Sequence, residues 1–388
     1  MRCILNGHGW RKKLDLSNPK SVFILQGTRA KIIKYNRSEE KMEGEVEGNP
    51  FGLIQDFVSE EEGTKVGFIS YNLSRFVEDI KIAEDDLNIP DSILMSFDKE
   101  SDNDKEDVDW SNSNSNLTAV LEGRTLDETA YKQSVIYAKK RIEEGYIYQV
   151  NLATRYDISI TVSASRRLVF ENYSKNQRVP FSAYLDFDSF SIISGSMELF
   201  LRKEGKKIYE HPIKGTGFPG ESKLLLGDEK EIAENLMIVD MVRNDLGRIC
   251  KFGTIKAKLF NIEEYISLIH LVSYVEGEIA EGNSISDILK ATFPPASVTG
   301  APKKTAMEII ERLEKKRRGP YCGAICVFYP DGDLEMSVAI RTAVFNDTKG
   351  YFWVGSGIVW DSDPDKEYKE TELKAKVFMK TIGLKKTD

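Results

Sequence analysis

Cysteine and histidine are scarce, with four of one and three of the other among 388 residues. Cys3, Cys250, Cys322 and Cys326 show neither CxxC pairing nor metal-ligand spacing with the histidines, which argues against a zinc site and fits a reducing compartment. No apolar run is long enough to cross a membrane, and the opening segment is too short and polar for a secretion signal, so a cytoplasmic protein is expected. A cationic excess is also missing. With 54 Lys and Arg against 62 Asp and Glu, the net charge of −8 disfavours nucleic acid as a partner. An anionic ligand would therefore need a local cation or metal.

Hydrophobic residues make up 41% of the chain, enough for a large core in one big or two interlocked domains. We divide the chain into an N-terminal region, 1–116, and a catalytic region, 117–388. The polar stretch near 98–116 is expected to be a mobile surface loop. Thr125-Leu126-Asp127-Glu128 has the form of a capping box, and Tyr131, Val135, Ala138 and Ile142 follow at helical spacing until Gly145. Further helices are expected at 230–245, 302–316 and 364–382, and strands at 146–155, 323–329, 336–345 and 351–359, with a hairpin over 182–201. Long strands, sparse βαβ alternation and no internal repeat predict an α+β fold, a large mixed α/β sandwich of antiparallel sheets flanked by helices.

Two helices carry glutamates three residues apart, Glu231/Glu234 and Glu367/Glu370, so each pair shares a helix face. Such a pair alone is usually a solvated face. Here each borders an apolar run, and four carboxylates from two helices would suit Mg²⁺, which prefers oxygen ligands and keeps several waters. Lys214 lies between Pro212 and Gly215 in a tight, otherwise apolar segment, where desolvation would favour the neutral, nucleophilic amine. Glu198 is expected mid-strand among hydrophobic residues, where a charge is costly without a task. Residues 293–303 form a small-residue loop entering a helix N-terminus, and Gly355-Ser356-Gly357 is a second backbone-rich site. Arg341, also expected mid-strand, calls for a carboxylate partner.

Seven segments together resemble the chorismate-utilising enzymes, the family of anthranilate, aminodeoxychorismate, isochorismate and salicylate synthases. They are 145–152 (Gly-Tyr-Ile-Tyr-Gln-Val-Asn-Leu), 212–216 (Pro-Ile-Lys-Gly-Thr), 234–245, 270–273, 297–303 (Ser-Val-Thr-Gly-Ala-Pro-Lys), 340–342 and 355–359. The resemblance spans about 125 to 380. It implies that Glu234 and Glu370 bind Mg²⁺ directly and that Glu231 and Glu367 reach it through water. It also implies that Arg341, Tyr321 and the backbone of Gly355, Ser356 and Gly357 hold the enolpyruvyl carboxylate of chorismate. His270 and Thr299 would face the ring, and Gly300, Lys374 and Gln149 would complete the substrate contacts.

Family members that add water carry a lysine where this chain resembles them with Gln149. Anthranilate synthases usually read Pro-Ile-Ala-Gly-Thr where this chain has Lys214. The lysine form is similar to the aminodeoxychorismate synthases, in which the amine adds to C2 and the C4 hydroxyl departs. The resemblance thus implies amination at C4, with Glu198 as general acid/base and ammonia from a separate glutamine amidotransferase subunit. Two alternatives stand beside it: anthranilate synthesis, and a catalytically inactive chorismate-binding subunit. Met197, His211, the segment 217–219 and Pro295-Ala296 depart from the family pattern.

Overall fold

Alternating β-branched and aromatic runs pair into two antiparallel sheets, which the computed structural model describes over residues 1–36, 39–98, 118–161, 166–217, 219–264, 269–346 and 349–383. Apart from Asp98, the polar stretch expected to form a mobile loop lies outside the described residues, as does Phe218. The nine-stranded sheet runs in the order Gly300–Ala301, Gln149–Thr161, Lys349–Ile358, Thr342–Asn346, Ser191–Ser196, Phe181–Asp186, Arg2–Asn6 and Leu14–Ser17, with Thr118–Arg124 also on Gln149–Thr161. The twelve-stranded sheet includes Ile213–Gly217, Ile269–Glu278, Lys207–His211, Leu199–Glu204, Leu334–Val338, Ala324–Phe328 and Thr64–Ile69 in that order. The N-terminal segment feeds both sheets: Arg2–Asn6 pairs with Phe181–Asp186, and Thr64–Ile69 with Ala324–Phe328.

The main core joins side chains of both sheets, such as Phe328 and Trp353, to helix residues such as Phe57 and Val242. Cys322 and Cys326 are buried in it. The helix Pro364–Thr381 covers the nine-stranded sheet, with Phe378 stacked on Phe352 at 4.1 Å between centroids. Burying such a ring is worth about 1.5–3 kcal/mol. Among the described residues no helix is long and apolar enough to cross a membrane.

Two crossings position the site. The chain leaves the nine-stranded sheet after Ser196 and enters the twelve-stranded one at Leu199; it returns between Val338 and Thr342. Glu198 and Arg341 therefore sit in links between strands, not mid-strand, and the single strand expected at 336–345 is two. The reason is steric: a continuing strand stays in its own sheet, whereas Arg341 turns the chain with a left-handed φ of 51°. The crossings also bind each other. Val338 N–H donates to Glu198 O at 3.1 Å, and Gly195 N–H to Arg341 O at 3.1 Å.

The helix Glu128–Glu143 is capped by Asp127, whose side chain accepts from Ala130 N–H, and not by Thr125. Thr125 instead accepts from Arg155 N–H at 2.9 Å, so its hydroxyl is committed to the adjacent strand.

Candidate active site

The helix Glu229–Gly247 starts at Asp228, whose carboxylate accepts from Lys230 and Glu231 N–H, a cap worth about 1 kcal/mol. It buries Glu234, Asn235, Ile238, Val239 and Val242 at helical spacing. Asp363 and Pro364 start the second acidic helix in the same way, with Asp363 accepting from Asp365 and Lys366 N–H. The two helices bring their glutamates together around Lys230, whose Nζ is 3.8 Å from Glu234 and 3.9 Å from Glu367. Sequence reading missed Lys230, although it directly precedes Glu231 and lies four residues before Glu234. Glu367 also accepts from Ser362 Oγ at 2.6 Å, and Glu370 pairs with Lys374 at 2.6 Å.

Burial and the neighbouring charge of Glu234 push the Glu231 carboxyl up to about 7, against the pull of Lys230. Burial likewise raises Glu234, opposed by Lys214 and Lys230, whereas Lys374 holds Glu370 below its ordinary value. Among the described residues no three His, Cys, Asp or Glu stand at metal-binding spacing. The donor chemistry nonetheless fits a hard divalent cation, because four mutually repelling carboxylates share the space, with only Lys230 and Lys374 directly on them among the described residues.

The charge of Lys214, on the strand Ile213–Gly217, reaches this space. An added Cβ on Gly357 would lie 3.3 Å from Lys214 Nζ and 2.7 Å from Gln149 Nε2, so the amine, the amide and the Gly357 backbone meet at one point. Lys214 acts electrostatically on Glu198, Glu234 and Glu370. Its surroundings are thus richer in carboxylate than the apolar setting expected from sequence, although Leu225 and Leu271 flank the adjacent Gly215. An added Cβ at Gly215 would also lie 3.2 Å from Glu231 Oε2, which sets that glutamate beside the lysine segment.

Glu198 is buried, and that burial pushes its carboxyl up to about 7 against the opposing hydrogen bond from Ser297 and the charge of Lys214. Gln149 is 1% exposed, and neither its Nε2 nor its Oε1 has a hydrogen-bond partner among the described residues. A buried amide left this way costs about 1–3 kcal/mol, which points to a polar ligand as its missing partner. His270 is buried with Nδ1 3.1 Å from Thr216 Oγ1. Burial, then the charge of Arg341, pushes it down to about 4, so it is neutral at pH 7.

Arg341 donates to Lys374 O at 3.5 Å and forms no salt bridge among the described residues. Lys374 Nζ in turn donates to Gly355 O at 2.9 Å. Over Trp353–Ile358 the strand pairs with Gln149–Thr161 on one edge, while its pairing with Thr342–Asn346 ends at Phe352. Lys374 thus links Arg341 to the Gly355 backbone. Ser356 points elsewhere, its Oγ 2.8 Å from Tyr131 OH.

Thr299 and Gly300 are held in the loop before the helix Lys303–Glu314. The Thr299 hydroxyl donates to Pro295 O at 2.8 Å, and Gly300 adopts a φ of 139° with Gln149 O 2.3 Å from where a Cβ would stand. Only glycine fits there. A fully buried pair, Arg318 and Glu314 at 2.7 Å, ties this loop down: Arg318 donates to Val298 O and Asn151 O, and Glu314 accepts from Ala153 N–H. Tyr321 lies in the main core, stacked on Trp353 at 5.8 Å and beneath the Arg318 guanidinium.

Met197 and His211, two departures from the family pattern, line a separate cavity of ≈ 450 Å³ together with Trp10, Phe181 and Arg202. Neither Lys214, Glu198 nor any of the four glutamates borders it.

Comparison with known proteins identifies the family and the fold. The family described as chorismate binding enzyme matches residues 10–380. Aminodeoxychorismate synthase component 1 of Bacillus subtilis (strain 168) is 34% identical over 366 residues, covering 83% of this chain and 77% of that protein. Anthranilate synthase component 1 of Aquifex aeolicus (strain VF5) is 40% identical over 292 residues, covering 72% of this chain and 56% of that protein. Among solved structures, anthranilate synthase component I from Streptococcus pneumoniae TIGR4 superposes with a TM-score of 0.78 at 25% identity, over 97% of this chain and 92% of that one.

Proposed function

The chain belongs to the chorismate-binding enzymes, and we propose that it replaces the C4 hydroxyl of chorismate with an amino group, the reaction of an aminodeoxychorismate synthase component I. One observation carries this reading. Lys214 Nζ meets Gly357 and the unsatisfied Gln149 amide, while its charge reaches Glu198 on one side and Glu234 and Glu370 on the other. A lysine so placed is a nucleophile beside a general acid.

In the reaction, Lys214 acts as an amine and forms a bond to C2. Glu198, its carboxyl near neutrality, protonates the departing C4 hydroxyl, which leaves as water. Ammonia then bonds to C4 as Lys214 leaves C2. Arg341 and the backbone at Gly355 and Gly357 hold the enolpyruvyl carboxylate, and neutral His270 borders the ring without adding charge. Tyr321, Thr299 and Gly300 support these contacts from behind the loop and core. Glu234 and Glu370, with Glu231 and Glu367 around them, would hold Mg²⁺, which supplies charge neutralisation for the ring carboxylate. Ammonia would come from a glutamine amidotransferase subunit.

The anthranilate reading is favoured by the 40% identity to an anthranilate synthase component 1. Mass spectrometry of the product from chorismate, Mg²⁺ and ammonium chloride separates the two. A nonaromatic amine that yields 4-aminobenzoate only after a lyase is added supports our reading; fluorescent anthranilate without lyase refutes it.

A further inference from the structure

Glu210 has no part in the chemistry above, yet its carboxyl is buried. It lies on the strand Lys207–His211, 4% exposed, and its Oε1 has no hydrogen-bond partner among the described residues. The cation that acts on it, Lys303, is held by other partners. Lys303 donates to Asp245 at 2.6 Å and to Thr292 O at 3.1 Å, and Arg248 also pairs with Asp245. Burial, then the charges of Asp245 and Glu198, holds the Glu210 carboxyl well above the ordinary range, with Lys303 acting the other way. A buried carboxyl with an empty acceptor destabilises a fold unless something pairs with it.

Glu210 and Glu198 line the same small cavity, ≈ 10 Å³, together with Phe200, Pro212, Val242 and Ser297. That is room for about one molecule the size of water. Apart from the two carboxyls and Ser297, the side chains that line it are apolar.

We propose that this cavity binds ammonium between Glu198 and Glu210 and delivers it to the reacting ring. The inference rests on the amination reading above. Ammonium matches the space in size, carries the opposite charge, and brings four N–H donors to a cavity in which Glu198 already accepts from Ser297 and Glu210 Oε1 lacks a donor. Repulsion between the two carboxyls keeps them from both ionising readily, so a single negative charge faces a single positive one.

The site also closes the proton balance. Glu198 gives its proton to the C4 hydroxyl, the C–O bond breaks as Lys214 bonds to C2, and water leaves. The resulting Glu198 carboxylate takes one proton from ammonium. The ammonia so formed bonds to C4 through its lone pair, the C2–N bond to Lys214 breaks, and the product carries its new nitrogen as an ammonium group. Chorismate and ammonium have become aminated product and water, with Glu198 and Lys214 restored.

The test uses ammonium chloride as nitrogen source at saturating chorismate, with wild type, Glu210→Gln and Glu210→Leu. Glu210→Gln keeps the shape of the side chain but cannot become anionic; it should raise the ammonium KM about tenfold and leave the chorismate KM unchanged. Glu210→Leu should raise it further. A second readout needs no turnover: ammonium chloride, compared with tetramethylammonium chloride at equal ionic strength, should raise the Tm of wild type but not of Glu210→Gln. An unchanged ammonium KM, a parallel rise in chorismate KM, or stabilisation by ammonium that survives in Glu210→Gln overturns the proposal. If wild type makes no aminated product from ammonium, the amination reading fails, while the Tm comparison still decides whether the cavity holds the cation.

Discussion

Replacing Glu198 by glutamine removes a titrating group while preserving its shape and its contact with Ser297. Burial pushes this carboxyl from an ordinary 4.5 to about 7, so the folded protein favours the protonated form. That difference is worth about 3 kcal/mol. Its sign follows from linkage: the contribution is fully present below pH 4.5 and is lost as pH rises through about 7. Glu198→Gln has no such loss. Relative to wild type, the variant should gain about 1 kcal/mol at pH 5.5 and about 3 kcal/mol at pH 8.5, read by urea denaturation at both values. Ammonium-dependent amination should fall by about 10²–10⁴-fold in the same variant, with chorismate binding retained. Parallel pH dependence of stability in the two proteins would refute the burial argument. Retained turnover would refute the role of Glu198 as general acid.

Lys214→Ala should slow amination by orders of magnitude, measured by product formation; unaltered turnover would favour an inactive binding subunit. Gly357→Ala should place a methyl 2.7 Å from Gln149 Nε2 and 3.3 Å from Lys214 Nζ, lowering kcat while circular dichroism stays native. Glu234→Gln should raise the Mg²⁺ concentration needed for half-maximal rate, checked by metal titration of activity. Glu314→Leu should leave Arg318 as an uncompensated buried cation and cost about 3–5 kcal/mol in urea denaturation.

Much of the site was legible because its residues sit in short local patterns. Spacing put Glu231 with Glu234 and Glu367 with Glu370 on common helix faces, and Asp228 and Asp363 start those helices as their side chains dictate. The motif around Lys214 marked a lysine with unusual neighbours. Glu210 and Lys230 went unread because each looks like an ordinary charged residue in sequence. Their meaning depends on which distant groups face them: Asp245 and Glu198 for one, Glu367 for the other.

Local order along the chain determined the two acidic helices, the alternating strands of the antiparallel sandwich, and the small-residue loop before Lys303. These depend on periodicities and caps within a few residues of one another, which sequence carries directly. Where the chain changes sheets was decided by the tertiary structure alone. The links at Glu198 and Arg341 resemble strand in sequence, since their neighbours are apolar and extended. They become junctions because Ser194 pairs with Thr342 in one sheet and Leu199 with Ser337 in the other, a choice made by partners more than a hundred residues away.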